Sequence, residues 1–214
     1  MNKKIYLTID DSPSKHTSQK VDFLKKHQIP AVFFCRGEYI PQLKDQVVYA
    51  IQQGFLIGNH SYSHPYFSHL SLADCIGEIH MTETLIDDCY RQAGISRPCK
   101  IVRLPYGDRG TQETVPQIQK FLKDQQFVSI DFGASLPQNF IDAPWTWDTK
   151  DYKRTMIQDS DTYRQEMERH YQTSSLEEEV ILLHDFERNH SLFEETMSFL
   201  LEKEVTFLPF NIKT

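Results

Sequence analysis

The sequence predicts an α/β protein in which about seven parallel strands close into a distorted (β/α) barrel. Three observations lead there. Seven apolar, β-branched or aromatic runs alternate with segments of helical periodicity, the pattern of strand–helix units on a mainly parallel sheet. No repeat, low-complexity tract or linker-like composition interrupts the 214 residues, so one domain is expected over 1–214. Four of the runs end in ionisable or metal-liganding residues, and active sites of such folds gather at the C-terminal ends of their strands.

The runs, in order, are "KIYLTI", "PAVFFC", "GFLIG", "KIVRL", "FVSIDF", "VILLH" and "VTFLPF". Between the first two, Thr17–Lys26 carries Val21 and Leu24 at helical spacing. From Leu72 to Ala93 one face is kept by Ile76, Ile79, Thr82, Leu85, Ile86 and Cys89. Thr111–Asp124 and Ser191–Lys203 show the same period.

Composition narrows the function. A net charge of -7 with no Lys/Arg cluster longer than a pair argues against nucleic acid or an anionic membrane surface as partner. No stretch approaches the roughly 18 apolar residues of a membrane span. The N-terminal apolar run stops at Ile9, short of the 7–15 residues, roughly, of a secretory leader, so a cytoplasmic chain is expected, with a trimmed secreted form as the alternative. Cys35, Cys75, Cys89 and Cys99 form no C-x-x-C pair and read as reduced, mostly buried thiols. No protein partner is implied.

The chemistry concentrates at the run ends. "LTIDDSPS" places Asp10 and Asp11 side by side, where like charges repel. "GNHSYSHP" contributes His60 and His64, four apart, in a segment that Gly58 and Pro65 mark as a shaped turn. Two imidazoles and one carboxylate form a set that leaves coordination positions open, as a catalytic divalent ion requires. Adjacent aspartates are tolerable if Asp11 serves that ion and Asp10 handles a proton beside a positive partner, for which Arg103 in "VRLPYG" is the candidate. The simpler reading of "DDSPS" is an Asp/Ser/Pro turn capping the next helix. His184, ending "VILLH", is the candidate general acid, while a lone histidine there would more often be a core or capping residue. The other six histidines read as surface, His69, five past His64, being the likeliest decoy for a ligand. "PWTWDTKDYK" sets Trp145, Trp147 and Tyr152 around Asp148 and Asp151, a mixture that suits a sugar ring as well as ordinary packing.

At these residues the sequence resembles the polysaccharide deacetylases, metal-dependent carbohydrate esterases built on the NodB-like domain. "LTIDDSPS" is similar to T-F-D-D-G-P-S, "PAVFFCRGE" to A-T-F-F-x-x-G, and "GFLIGNHSYSHP" to G-x-x-I-G-N-H-[ST]-x-x-H-P. "RLPYG" matches R-x-P-Y-G, "WDTKDY" resembles D-x-x-D-W, and "LLH" fits L-x-H. The resemblance implies a divalent ion held by Asp11, His60 and His64, with Zn²⁺ first and Co²⁺ or Ni²⁺ as alternatives. It implies Asp10 as base for the attacking water, Arg103 tuning that base, and His184 as general acid oriented by Asp151. It also implies that the Tyr106 backbone N–H helps hold the oxyanion and that Leu182 lines an acetyl-methyl pocket. Pro105, Tyr152 and Trp147 complete the expected substrate contacts.

The implied reaction removes an acetyl group from an N-acetylated sugar or oligo- or polysaccharide of N-acetylglucosamine type. O-acetyl ester or cyclic-amide hydrolysis on the same site, and a silent metal-bearing carbohydrate-binding module, are the alternatives. Departures from the pattern are Ile9 for the frequent Phe, Ser12 for Gly and Tyr152 for Trp. A long stretch from Gly133 to Trp145 also makes Asp131 a rival to Asp151.

Overall fold

The computed structural model describes residues 3–132 and 140–213. The elements run β1 (Lys4–Ser12), α1 (Thr17–Lys26), β2 (Ala31–Cys35), α2 (Ile40–Gln52), β3 (Leu56–Asn59), α3 (Leu72–Ala93), α4 (Val115–Asp124), β4 (Ser129–Asp131), β5 (Trp147–Asp148), α5 (Arg154–Gln158), α6 (Ser160–Thr173), β6 (Glu178–His184), α7 (His190–Glu202), β7 (Thr206–Phe207) and β8 (Asn211–Lys213). The main sheet is parallel, in the order β3-β2-β1-β6-β5, and β7 pairs with the start of β1 in line with β2.

Three of the expected strands differ from the sequence reading. "KIVRL" forms single parallel bridges, Asn59 to Val102 and Lys100 to Phe127, rather than a ladder. "FVSIDF" yields β4, which runs antiparallel to β8 outside the main sheet. "VTFLPF" gives only β7, because Pro209 offers no N–H to continue it. The helical segments agree closely: α1 and α3 take the expected bounds, while α4 starts later, with Pro116 in its first turn. Ser71 caps α3 by accepting from Asp74 N, and Gly94, at φ 70, ends it in the left-handed conformation. The stretch from Gly133 to Trp145 falls partly outside the described residues, which exclude 133–139.

Period-2 alternation sorts the strands into two surfaces. Ile5, Leu7, Ile9, Phe33, Ile181 and Leu183 face outward into the core shared with α1, α2 and α7. Tyr6, Val32, Phe34 and Val180 face the barrel interior with Ile101, Ile130 and Phe132. Burial on both faces explains why these strands read as continuous apolar runs. Each fully buried Ile, Leu or Phe contributes roughly 1.5–3 kcal/mol.

One polar contact locks two strand ends together. Asp185, just past β6, accepts from Ser14 Oγ at 2.7 Å, from Thr17 Oγ1 and from Lys20 Nζ at 2.6 Å. Both ion-pair side chains are fully buried. Asp185→Ala would leave the Lys20 ammonium buried and unpaired, at a cost of roughly 3–5 kcal/mol. Urea unfolding should show that loss, and Lys20→Met in the same chain should recover much of it. A single variant as stable as the parent would contradict the assignment.

Candidate active site

The floor of the site follows from the β1–β6 register. Asp10 pairs with His184, so the two side chains stand side by side at the C-terminal ends of neighbouring strands. Asp10 continues the inward series of Tyr6 and Thr8, which alternation requires. Asp11 should then point outward. It does not, because the β1–β2 register shifts between Ile9 and Ser12 and Asp11 adopts φ 58. A bulge re-aims a side chain in this way, so both adjacent carboxylates line one cleft.

Arg103 meets Asp10 from inside the barrel. Its guanidinium is fully buried and donates to Asp10 Oδ1 at 2.9 Å, Thr8 Oγ1 at 2.7 Å, Ala143 O at 2.9 Å and Pro144 O at 2.9 Å. Its backbone carbonyl accepts from His60 Nδ1 at 2.7 Å, which leaves Nε2 facing the aspartates. His60 Nε2 lies 3.6 Å from Asp10 Oδ2 and 3.9 Å from Asp11 Oδ1, and His64 Nε2 lies 3.4 Å from Asp11 Oδ1.

The two histidines sit on a turn after β3, as Gly58 and Pro65 suggested. Ser61 N donates to Asn59 Oδ1 and His64 N to Ser61 Oγ, while Glu78 of α3 accepts from Tyr62 N and Ser63 N. Ser61 and His64 both take φ 62. A Cβ on Gly58 would stand 2.5 Å from the Phe34 ring, so only glycine lets β3 lie this close to β2. Asp11, His60 and His64 present donor atoms within 4.8 Å of one another, the right chemistry for a divalent cation. Burial pushes both imidazoles down to about 3, into the neutral form that binds a cation. Burial, offset by the His184 charge and reinforced by Asp10, pushes Asp11 up to about 6. Its Oδ1 is buried without a hydrogen-bond partner, although Arg36 Nη1 approaches to 3.5 Å. A cation would satisfy that oxygen.

Opposite them, Asp151 grips His184 twice, accepting from the backbone N at 2.9 Å and from Nδ1 at 2.7 Å. Asn189 donates to Asp151 Oδ2 at 2.9 Å and to His184 O at 3.2 Å, fixing the pair. Burial alone would lower the His184 pKa, but the Asp151 carboxylate, with Asp11 and Asp10 beyond, raises it to about 9. The imidazole is therefore a cation at neutral pH. Asp151, not Asp131, is its partner: Asp131 lies in β4, paired with β8.

The cleft encloses about 520 Å³. Leu182 and Tyr152 line it, and Tyr152 meets His184 edge-on at 4.9 Å. Tyr106, at φ 59, stacks on Tyr66 with centroids 4.0 Å apart, and both rings are about half exposed. Two expected substrate contacts do not reach the cleft. Trp147 is paired with Ile181 on the outward surface of β5 and stacks on His170 at 4.3 Å. Alternation gives the cleft wall to Asp148 instead, and Trp145, over the Arg103 guanidinium at 5.6 Å, supplies the indole. Pro105 is buried in the turn, and its neighbours Leu104 and Tyr106 line the cleft. Sequence reasoning also missed Arg36, an unspecified position of the "PAVFFCRGE" motif, and Tyr66, Phe186 and Arg188, which lie outside the motifs. His69 is not part of the metal-type cluster.

Residues 1–127 match the family model described as polysaccharide deacetylase. The chain belongs to the polysaccharide deacetylase family. A peptidoglycan-N-acetylglucosamine deacetylase of Bacillus cereus is 30% identical over 151 residues, 70% of this chain but 46% of that protein, so the chain spans under half its relative's length. The solved polysaccharide deacetylase from Bacillus cereus superposes with a TM-score of 0.69 at 22% identity, covering 98% of this chain and 92% of that one. A CE4 family pseudoenzyme from Bacillus anthracis superposes with a TM-score of 0.67 at 22% identity, covering 96% and 63%. The α/β deacetylase barrel is thus shared by a protein described as a pseudoenzyme, and the side chains of the cleft carry the functional argument.

The Asp151–His184 pair should be visible in solution. With the folded pKa near 9 against about 6.5 unfolded, its stabilisation is complete below pH 6.5 and disappears as pH rises through 9. NMR titration of the His184 ring should give that high value. Asp151→Asn should drop it sharply and flatten the stability difference across this window. A ring titrating near 6.5 in both proteins would refute the pairing.

Proposed function

We propose that this chain hydrolyses the acetamide of an N-acetylated sugar, in an oligo- or polysaccharide of N-acetylglucosamine type, releasing acetate and a free amine. The observation that carries this reading is the pairing of Asp10 with His184 across neighbouring strands, next to the Asp11–His60–His64 set. Asp11, His60 and His64 would hold a divalent cation, Zn²⁺ first, with Co²⁺ or Ni²⁺ as alternatives. When bound it would supply a Lewis acid that polarises the amide carbonyl and eases loss of a proton from water.

The protein's own groups complete the reaction. Asp10 accepts the proton of the attacking water, with the Arg103 cation holding its Oδ1 in place. His184, already protonated at neutral pH, hands its proton to the leaving nitrogen, while Asp151 holds the ring through Nδ1 and so leaves Nε2 for that transfer. The Tyr106 backbone N–H is the proposed donor to the developing oxyanion. Leu182 gives the acetyl methyl an apolar wall, and the Tyr66, Tyr106, Tyr152 and Trp145 rings suit the C–H faces of sugars. Intact base and acid weigh against the silent binding module.

Acetate release from N-acetylglucosamine oligomers, after chelation and resupply of Zn²⁺ or Co²⁺, is the test. Release should depend on the cation, fall by about 10²–10⁴-fold in Asp10→Asn, and decline above pH 9 as His184 loses its proton. Full turnover by an Asp10→Asn variant would falsify the assigned base.

The cation set can be read without turnover. Adding Zn²⁺ at 100 times its Kd should stabilise the fold by about 2.7 kcal/mol, seen as a thermal shift. Asp11→Asn or His60→Ala should abolish most of that shift. An unchanged shift in both would place the cation elsewhere.

A further inference from the structure

Arg188 stands in the short turn Glu187–Asn189 that joins β6 to α7, on the His184 side of the cleft. Its guanidinium lies 4.4 Å over the Phe186 ring, and Phe186 in turn lies parallel to the His184 imidazole, with centroids 5.7 Å apart at 7°. A three-layer stack thus runs from the cleft wall to the proposed proton donor, with the exposed Arg188 guanidinium as its outer layer.

The other cleft guanidiniums are engaged. Arg103 makes its hydrogen bonds inside the barrel, and Arg36 is ion-paired with Glu38 and Asp11. Arg188 has no carboxylate or carbonyl partner among the described residues; its neighbour Glu187 pairs instead with Lys15 at 3.3 Å. An unpaired guanidinium in the cleft wall suits an oxyanion, and its fork matches a carboxylate bidentately. The charge around it favours a monoanion over a phosphate dianion: the chain carries a net -7, and the Asp148 carboxylate lines the same cleft.

We propose that Arg188 is a specificity residue that receives a carboxylate carried on the saccharide near the acetamide. The substrate class is then an N-acetylated saccharide bearing carboxylates rather than a neutral polymer. This inference rests on the deacetylase reading above. The sugar would enter with its nitrogen toward His184 and its carboxylate against the outer face of the Arg188–Phe186 stack.

The test compares a neutral tetrasaccharide of N-acetylglucosamine with one alternating N-acetylglucosamine and glucuronic acid, in the cation-loaded protein. The wild type should favour the carboxylate-bearing substrate in kcat/KM. Arg188→Ala should reduce that preference about tenfold through KM, and Arg188→Lys should keep part of it. Raising salt should erode the preference of the wild type more than that of Arg188→Ala. No preference in the wild type, or the same preference in Arg188→Ala, overturns the inference while leaving the deacetylase reading intact. Acetate from neither substrate overturns that reading instead. The inference is then read by calorimetry of the two saccharides, where Arg188→Ala should weaken only the carboxylate-bearing one, and equal weakening of both would overturn it.

Discussion

Arg103 brings four separate segments of the chain to one point, and the geometry of the cleft follows from it. Its side chain holds Thr8 and Asp10 of β1 and the carbonyls of Ala143 and Pro144, while its own carbonyl fixes the His60 ring. Taking a guanidinium out of water costs several kcal/mol, so such a group persists only when its donors are nearly all answered. Here they are, and Phe34 lies 4.6 Å under its plane. Shifting any of the partners would orphan a buried charge, which makes the floor of the cleft stiff. The same contact explains why Asp10 and Trp145 end up on the same side of the protein although 135 positions separate them in sequence.

Four of the eight non-glycine residues with positive φ among the described residues lie at or beside this floor. Asp11, Ser61, His64 and Tyr106 all adopt positive φ without being glycine, and each borders the cleft or supports a residue that does. Each costs on the order of 1–3 kcal/mol and survives only where neighbours over-determine it. Those neighbours are identifiable: the Asp185–Lys20 lock holds the chain just after Asp11, and Glu78 and Asn59 hold the turn through Ser61. Strain in this protein therefore converts a regular sheet edge, which would scatter its side chains to two faces, into a convergent set.

Much of this was legible in the sequence, and the parts that were not share a cause. Asp10, Asp11, His60, His64, Arg103 and His184, which the structure brings to one cleft, were named because apolar runs deliver the residues at or just past their ends to one rim, even where, as in "KIVRL", the run forms only isolated bridges. Asp151 was found through a motif, and the rivalry of Asp131 was resolved only when "FVSIDF" proved to pair antiparallel with β8. Trp147 was misassigned because the start of β5 cannot be read from "PWTWDTKDY": once Trp147 pairs with Ile181, alternation sends it outward and Asp148 inward. The bulge at Asp11 leaves no periodic trace, since it occupies only the register between Ile9 and Ser12. Tyr66, Phe186 and Arg188 reach the cleft from connecting segments outside the motifs, and Arg36 from a motif position that specifies no residue type. Helix α6 was not singled out because only Tyr163 and Met167 of its residues are buried, too few to mark a face.

The proposed reaction needs a proton acceptor and a proton donor on neighbouring strands that do not neutralise each other. Asp10 and His184 occupy paired register positions on neighbouring strands. Two buried opposite charges divide them. Arg103 bonds the oxygen of Asp10 on the interior side, and Asp151 bonds the Nδ1 of His184 on the far side, so each group is drawn toward its own partner. The arrangement also assigns direction. His184 has one nitrogen occupied by Asp151 and one left for the cleft, and Asp10 has one oxygen on Arg103 and one facing His60. The proposed acid and base are thus backed by residues of opposite charge. That difference is written into a single ladder pairing and its two supporting ion pairs.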